Sequence, residues 1–178
     1  MIEVEAKARV SSFEEYRKIA RRIGKYVGRK RKKDDYYTLE DLNDYPKKCL
    51  RIRKLDGVYQ INFKQRISDE DNVDAKKETE FRVSNIKDFL ALLEEFGFKK
   101  WVTKEKETEL YEIRKNFHIE LNKVKGLGNF VEIEYLAKPN EINRSRKEVE
   151  KVLEKMGISK EEIVTSGYTK LLWDRMKR

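Results

Sequence analysis

The sequence predicts an α+β fold, with about eight antiparallel strands and helices outside them, and three observations predict it. Charged and apolar residues alternate at period two in many short segments, a strand-then-helix unit occurs twice, and further strand segments bounded by turn residues follow each copy. Together these describe two βαβββ repeats.

The first strand segment, 2–10, places Glu3, Glu5 and Lys7 on one face. Ser11 and Ser12 then precede Phe13, Tyr16, Ile19, Ala20 and Ile23 at helical spacing, with Gly24 as a stop and Ser12 with Glu15 as a capping box. Strand segments follow at 26–31, 50–55 and 58–66, the last two joined by Asp56-Gly57, a strong hairpin signal. Their charged faces carry Arg51 with Arg53, and Asn62 with Lys64. The pattern then restarts. Segment 76–83 alternates Glu78, Glu80 and Arg82 with Phe81 and Val83, and a helix with Ile86, Phe89, Leu90, Leu93 and Phe96 ends at Gly97. Val10-Ser11-Ser12-Phe13-Glu14-Glu15-Tyr16 lines up with Val83-Ser84-Asn85-Ile86-Lys87-Asp88-Phe89, and the match continues to Gly24 and Gly97. Segments 98–105, 109–114, 117–124 and 129–137 complete the second copy. They carry Lys104 with Lys106, then His118, Glu120 and Asn122, and finally Glu132 with Glu134, and Gly126-Leu127-Gly128 turns between the last two. The chain thus reads as one domain, 1–178, with repeats over about 1–70 and 76–137 and a helical cover over 141–178. In that cover Val149, Val152, Leu153 and Met156 form an apolar stripe, Ser159 with Glu162 resembles another capping box, and Tyr168, Leu171, Leu172 and Trp173 form a last apolar face.

Composition sets the class. The 178 residues are 42% charged and 11% aromatic with two prolines, which fits a folded and highly charged protein. Cys49 is the lone cysteine, so no intramolecular disulfide forms, and no apolar run has the length of a signal or membrane segment. A cytoplasmic, soluble protein is expected. The net charge of +9 draws anions, with nucleotide, polyphosphate and nucleic acid all qualifying.

Two arrangements satisfy the alternation. The sheet can be open, with a wet charged face stitched by weak ion pairs, or it can close with helices over the apolar face and a charged lumen. The distribution of sign favours a lumen. Acidic pairs sit near both ends of the strand region and cationic pairs between them, and clustered carboxylates repel unless a cation joins them. Hard Mg²⁺ or Mn²⁺ accepts such oxygen ligands together with phosphate, while Arg and Lys hold phosphate oxygens directly.

Glu3-Val4-Glu5-Ala6-Lys7, Arg51-Ile52-Arg53, Lys64, Lys104 with Lys106, and Glu132-Ile133-Glu134, in that order, resemble the CYTH superfamily of triphosphate tunnel enzymes. That superfamily unites class IV adenylyl cyclases, thiamine triphosphatases and inorganic triphosphatases. Asp35-Tyr36-Tyr37, the glycine-hairpin run over 117–132 and Ser166-Gly167-Tyr168-Thr169-Lys170-Leu171-Leu172 look closest to its class IV cyclase-like branch. The resemblance implies a closed eight-stranded antiparallel β-barrel around a charged tunnel. It implies that Glu3, Glu5, Glu132 and Glu134 hold divalent metal, Mg²⁺ or Mn²⁺, and that Lys7, Arg51, Arg53, Lys64, Lys104 and Lys106 grip the triphosphate. Glu78 and Glu80 match further acidic tunnel positions. The candidate catalytic side chains are Lys7, Lys64, Glu120 and Asn122. Asn122 stands where the family commonly has an acid, and an amide is a poor base, so Glu120 on the same face is its substitute. Lys106 stands where Arg is frequent, which trades a bidentate fork for a point charge.

The resemblance implies an enzyme converting ATP to cyclic AMP and pyrophosphate. Its rival is a triphosphatase acting on tripolyphosphate, thiamine triphosphate or a nucleotide. A third reading, a polyanion or RNA binder, rests on the net charge and Arg29-Lys30-Arg31-Lys32-Lys33, but no RNA-binding aromatic motif accompanies that run. Pairing of two copies into a homodimer is compatible with all three. His118, as the only histidine, makes no His-rich zinc site, and Cys49 reads as packing.

Overall fold

Period-two alternation becomes strand wherever helices are at hand to cover the apolar side. The computed structural model describes residues 2–55, 57–68 and 75–177, within which the side chains of residues 55, 64–68 and 75–78 lie outside the description. The elements run β1 (Ile2–Val10), α1 (Glu14–Ile23), β2 (Lys25–Thr38), β3 (Lys48–Leu55), β4 (Val58–Ser68), β5 (Ala75–Val83), α2 (Ile86–Glu95), β6 (Lys99–Arg114), β7 (Phe117–Val124), β8 (Gly128–Ala137), α3 (Ile142–Lys155) and α4 (Tyr168–Met176). No helix among the described residues is long and apolar enough to cross a membrane.

The strands form one eight-stranded sheet in the order β1-β8-β7-β6-β2-β3-β4-β5. Eight antiparallel strands with helices are as expected. The ladder has β1 and β5 as its end strands among the described residues, so the expected ring closure is not seen in the pairing. The order is symmetric between the repeats, because β1 of the first pairs with β8 of the second while β5 of the second pairs with β4 of the first.

Two compact units result, one from residues 1–31 and 106–167, the other from 32–105 and 168–178. In the first unit, Val4 and Ala8 of β1, Ile119 and Leu121 of β7, and Val131 and Ile133 of β8 meet Ala20 of α1 and Val149, Val152 and Leu153 of α3. Burial of this face under two amphipathic helices leaves the charged alternates on the other side of the same strands. Gly24, just after α1, lies so close to β6 that a Cβ there would meet the Glu112 carbonyl oxygen at 2.8 Å. In the second unit, Leu50, Ile52 and Ile61 pack with Leu93 of α2, and Tyr36, Trp101 and Val102 pack with Trp173 of α4.

Four local expectations are corrected or refined. β2 was expected over 26–31 but continues to Thr38, because β3 pairs with it (Asp34 opposite Arg53, Tyr36 opposite Arg51) and buries Asp34, Tyr36 and Thr38. Segments 98–105 and 109–114 are one strand, β6, since the charges between them are matched: Lys106 reaches Glu120, and Glu107 takes Arg29 and Arg31. The expected Ser12 capping box is absent. Phe13 is the N-cap of α1, and Ser12 Oγ accepts instead from the Glu14 amide at 3.2 Å. The hairpin between β3 and β4 is tight, with Leu55 opposite Val58 and Gly57 at φ 82°, while Asp56 lies outside the described residues. The Ser159–Glu162 capping box is present.

Candidate functional site

On the charged face of the first unit, β1 and β8 run antiparallel with Glu5 opposite Glu134 and Lys7 opposite Glu132. The acids act on one another diagonally, Glu3 on Glu134 and Glu5 on Glu132. Carboxylates brought together in a buried place favour retention of a proton. Accordingly burial, then Glu5, pushes the Glu132 carboxyl well above the usual carboxylate range, and burial, then Glu3, does the same to Glu134.

β7 stands on the other side of β8, with Glu120 opposite Glu132. Asn122, fully buried, is the hub. Its Nδ2 donates to Glu132 Oε2 at 2.6 Å and Glu120 Oε2 at 3.1 Å, and its Oδ1 accepts from the Thr108 hydroxyl at 2.6 Å. The amide donates to both neighbouring acids, which an ionised carboxylate does not do. Lys106 Nζ lies 2.8 Å from Glu120 and 3.9 Å from Glu132. Burial acts to lower the Lys106 pKa, but Glu132, Glu120 and Glu5 outweigh it and the ammonium is held charged. Lys7, also buried, is 3.1 Å from Glu5. Two of the cations expected in the phosphate grip, Lys7 and Lys106, thus stand among the carboxylates.

Among the described residues no three acids converge into a preformed metal cage. Paired acids nonetheless suit Mg²⁺ or Mn²⁺, whose hard shell keeps several waters and takes one or two carboxylates beside substrate oxygens. The protons that the raised Glu132 and Glu134 carboxyls favour are what a divalent cation would displace.

The second unit holds the expected Arg51, Arg53 and Lys104, and with them a residue the sequence did not single out. Asp34, fully buried, accepts from Arg53 Nε at 2.5 Å and Nη2 at 2.7 Å, while Lys104 Nζ lies 3.1 Å from its second oxygen. Burial works to raise the Asp34 pKa, but the Arg53 hydrogen bonds and the Lys104 and Arg51 charges hold it far below the usual range. Lys104 Nζ also sits 5.6 Å from the centroid of the Tyr36 ring. Arg51 Nε is buried with no hydrogen-bond partner among the described residues. A signal for Asp34 existed, since Asp34, Tyr36 and Thr38 continue the alternation beyond 31. Backbone register places Lys64 opposite Glu78 and Asn62 opposite Glu80, but the side chains of Lys64 and Glu78 lie outside the described residues.

A separate cavity of about 270 Å³ in the first unit contains none of these residues. Ser12, Arg17, Arg29, Glu109 and Lys123 are in its lining, and two of its cations already have acids: Arg17 chelates Glu109 at 2.7 and 2.8 Å, and Arg29 pairs with Glu107. The basic run 29–33 is in part matched the same way.

The sequence matches the pattern that defines the CYTH domain. The chain belongs to that family, whose pattern matches residues 1–168. A Methanocaldococcus jannaschii protein carrying adenylate cyclase as a provisional name is 26% identical over 175 residues, covering 96% of this chain and 98% of the relative. The solved structure of the PH1819 protein of Pyrococcus horikoshii is similar at a TM-score of 0.79 and 27% identity, covering 97% of this chain and 99% of that one. A Hippeastrum protein, provisionally named an adenylyl cyclase and described as revealing a dominant triphosphatase activity, shares the fold at a TM-score of 0.67 and 16% identity, covering 100% and 97%.

Proposed function

We propose that the chain is a metal-dependent enzyme acting on a triphosphate, with ATP conversion to cyclic AMP and pyrophosphate as the first reading. The observation that carries the proposal is that the β1–β8 register brings Glu3 and Glu5 to the same face as Glu132 and Glu134, where burial and the neighbouring acids raise the β8 carboxyls and a divalent cation would relieve them. The family's closed tunnel and a location in the cytoplasm belong to the same proposal, as does the name borne by the Methanocaldococcus relative.

Glu3, Glu5, Glu132 and Glu134 would hold Mg²⁺ or Mn²⁺, which when bound neutralises phosphate charge and polarises phosphoryl oxygens. The chain's own groups do the rest. Arg51, Arg53 and Lys104 bind phosphate oxygens, Arg53 with a guanidinium already oriented by Asp34. Lys7 and Lys106 offset the excess of acids in the first unit. In cyclisation the ribose 3′-oxygen forms a bond to the α-phosphorus, the bond to the bridging oxygen breaks, pyrophosphate leaves, and the hydroxyl proton goes to a base. Glu120, bonded to Lys106 and Asn122, is the carboxylate nearest that role.

A second reading, hydrolysis of a triphosphate, is favoured by Asn122. It bonds Thr108, Glu120 and Glu132, and an amide is a poor base for a ribose hydroxyl. Phosphoryl transfer to water asks less of a base, because its transition state is loose. Incubation with MgCl₂ or MnCl₂ and either ATP or tripolyphosphate, with separation of cyclic AMP, pyrophosphate and orthophosphate, decides between them. Cyclic AMP that disappears in Glu3→Ala and Glu5→Ala variants is the expected result; orthophosphate alone selects the hydrolase, and no product from either substrate removes the cyclase reading and points to another triphosphate or to a tunnel that only binds.

A further inference from the structure

We propose that Asp34 is a positioning residue for the phosphate-binding cations, fixing Arg53 and Lys104 in place before a triphosphate arrives. The inference rests on the triphosphate reading above and goes beyond it, because it assigns the orientation of the cations to a residue outside the expected site.

Three features of the second unit carry it. The β2–β3 register sets Asp34 directly opposite Arg53, so the chelate is built into the strand pairing rather than reached for by a flexible side chain. The carboxylate takes Nε and Nη2 of one guanidinium edge at 2.5 and 2.7 Å, which stops the plane from rotating and aims the Nη1 edge away from Asp34. Its second oxygen also receives Lys104 at 3.1 Å, so one fully buried anion orders two cations at once. Arg51 stands near enough to add its charge to the field at Asp34. Asp34 is thus a counter-charge that Arg53 and Lys104 share, in a field to which Arg51 also contributes.

The position of Asp34 separates positioning from simple charge. If Asp34 acted only as a nearby negative charge, its removal would strengthen binding of an anion. If it holds Arg53 and Lys104 in register, its removal weakens binding although the net charge has become more favourable.

The test is calorimetric titration of inorganic tripolyphosphate into the full-length protein without metal, comparing wild type with Asp34→Asn and checking fold by circular dichroism. Asp34→Asn keeps one acceptor and loses the charge, and the expected result is binding weakened by about tenfold or more. The Arg53 Nε–H resonance is expected to exchange slowly in wild type, where Asp34 accepts from it, and to broaden in the variant. Unchanged or tighter binding by a folded variant overturns the positioning role alone. A wild type that binds no tripolyphosphate either without metal or with MgCl₂ overturns the triphosphate reading and the positioning role with it, and where binding needs MgCl₂ the two proteins are compared in it. If Asp34→Asn does not fold, Arg53→Lys carries the test, because lysine keeps the charge but cannot chelate. The same weakening is expected there, and wild-type affinity overturns the proposal.

Discussion

Raising the pH should loosen the metal-free protein, and the acid pairs of β1 and β8 set the sign. Glu132 and Glu134 have carboxyls raised by burial and by Glu5 and Glu3, so the folded chain keeps protons that the unfolded chain releases. Stability is then fully present below the ordinary carboxylate range and is lost as pH rises toward the raised values. Each such group removes about 1.4 kcal/mol per pH unit while it stays protonated in the fold and ionised out of it. For a chain of this size about 2–4 °C of melting temperature accompanies each kcal/mol, so Glu132 alone gives a fall of about 3–6 °C per pH unit. The assay is thermal unfolding in chelator from about pH 5 to about pH 8, repeated with Glu132→Gln. Glutamine still accepts from Asn122 Nδ2 but does not titrate, so its slope should be visibly flatter than that of wild type. Saturating MgCl₂ at the upper pH should restore wild type by about 3 kcal/mol at a hundredfold excess over Kd, and the glutamine variant by less. A wild-type melting temperature that is flat or rises over this window, or equal slopes in the two proteins, would refute the retained-proton argument.

Other outcomes follow from the same contacts. Asn122→Asp removes donors to Glu120 and Glu132 and adds a third buried acid; urea unfolding without metal should show a loss of about 3 kcal/mol, partly recovered by MnCl₂. Lys106→Met strips the cation from Glu120 and Glu132, and product assays should show turnover reduced by about a hundredfold, with a smaller loss of metal-free stability at low pH than at high pH. Gly24→Ala drives a Cβ against the Glu112 carbonyl oxygen and should cost about 1–3 kcal/mol by urea unfolding, without changing the affinity for tripolyphosphate.

Much of this arrangement was legible because period-two alternation is a local signal. Glu3, Glu5, Glu120, Asn122, Glu132 and Glu134 lie on one face of their strands as the alternation requires, and α1 and α3 cover the other. The repeat also predicted which strands precede helices. What escaped depends on partners far away in the chain. The second half of β2 carries Lys32, Lys33, Asp34 and Asp35 in a row, and nothing local shows that Arg53 and Lys104 neutralise Asp34. The middle of β6, Lys106-Glu107-Thr108, has no apolar member, and it is strand because cross-strand ion pairs and the Asn122 bond replace hydrophobic packing. Asn122 looked like a weakened catalytic acid. Its neighbours make it the donor that lets two carboxylates be buried side by side.

The pairing of β1 with β8 has a consequence for the chain as it leaves the ribosome. Glu3 and Glu5 are made more than a hundred residues before the acids of β8, Glu132 and Glu134. Until β8 is made β1 lacks it as a partner, and closing so long a loop is entropically slow. The acid set therefore comes into being late and all at once. A chain truncated before β8 would carry Glu3 and Glu5 without the two acids that β8 brings to the same face.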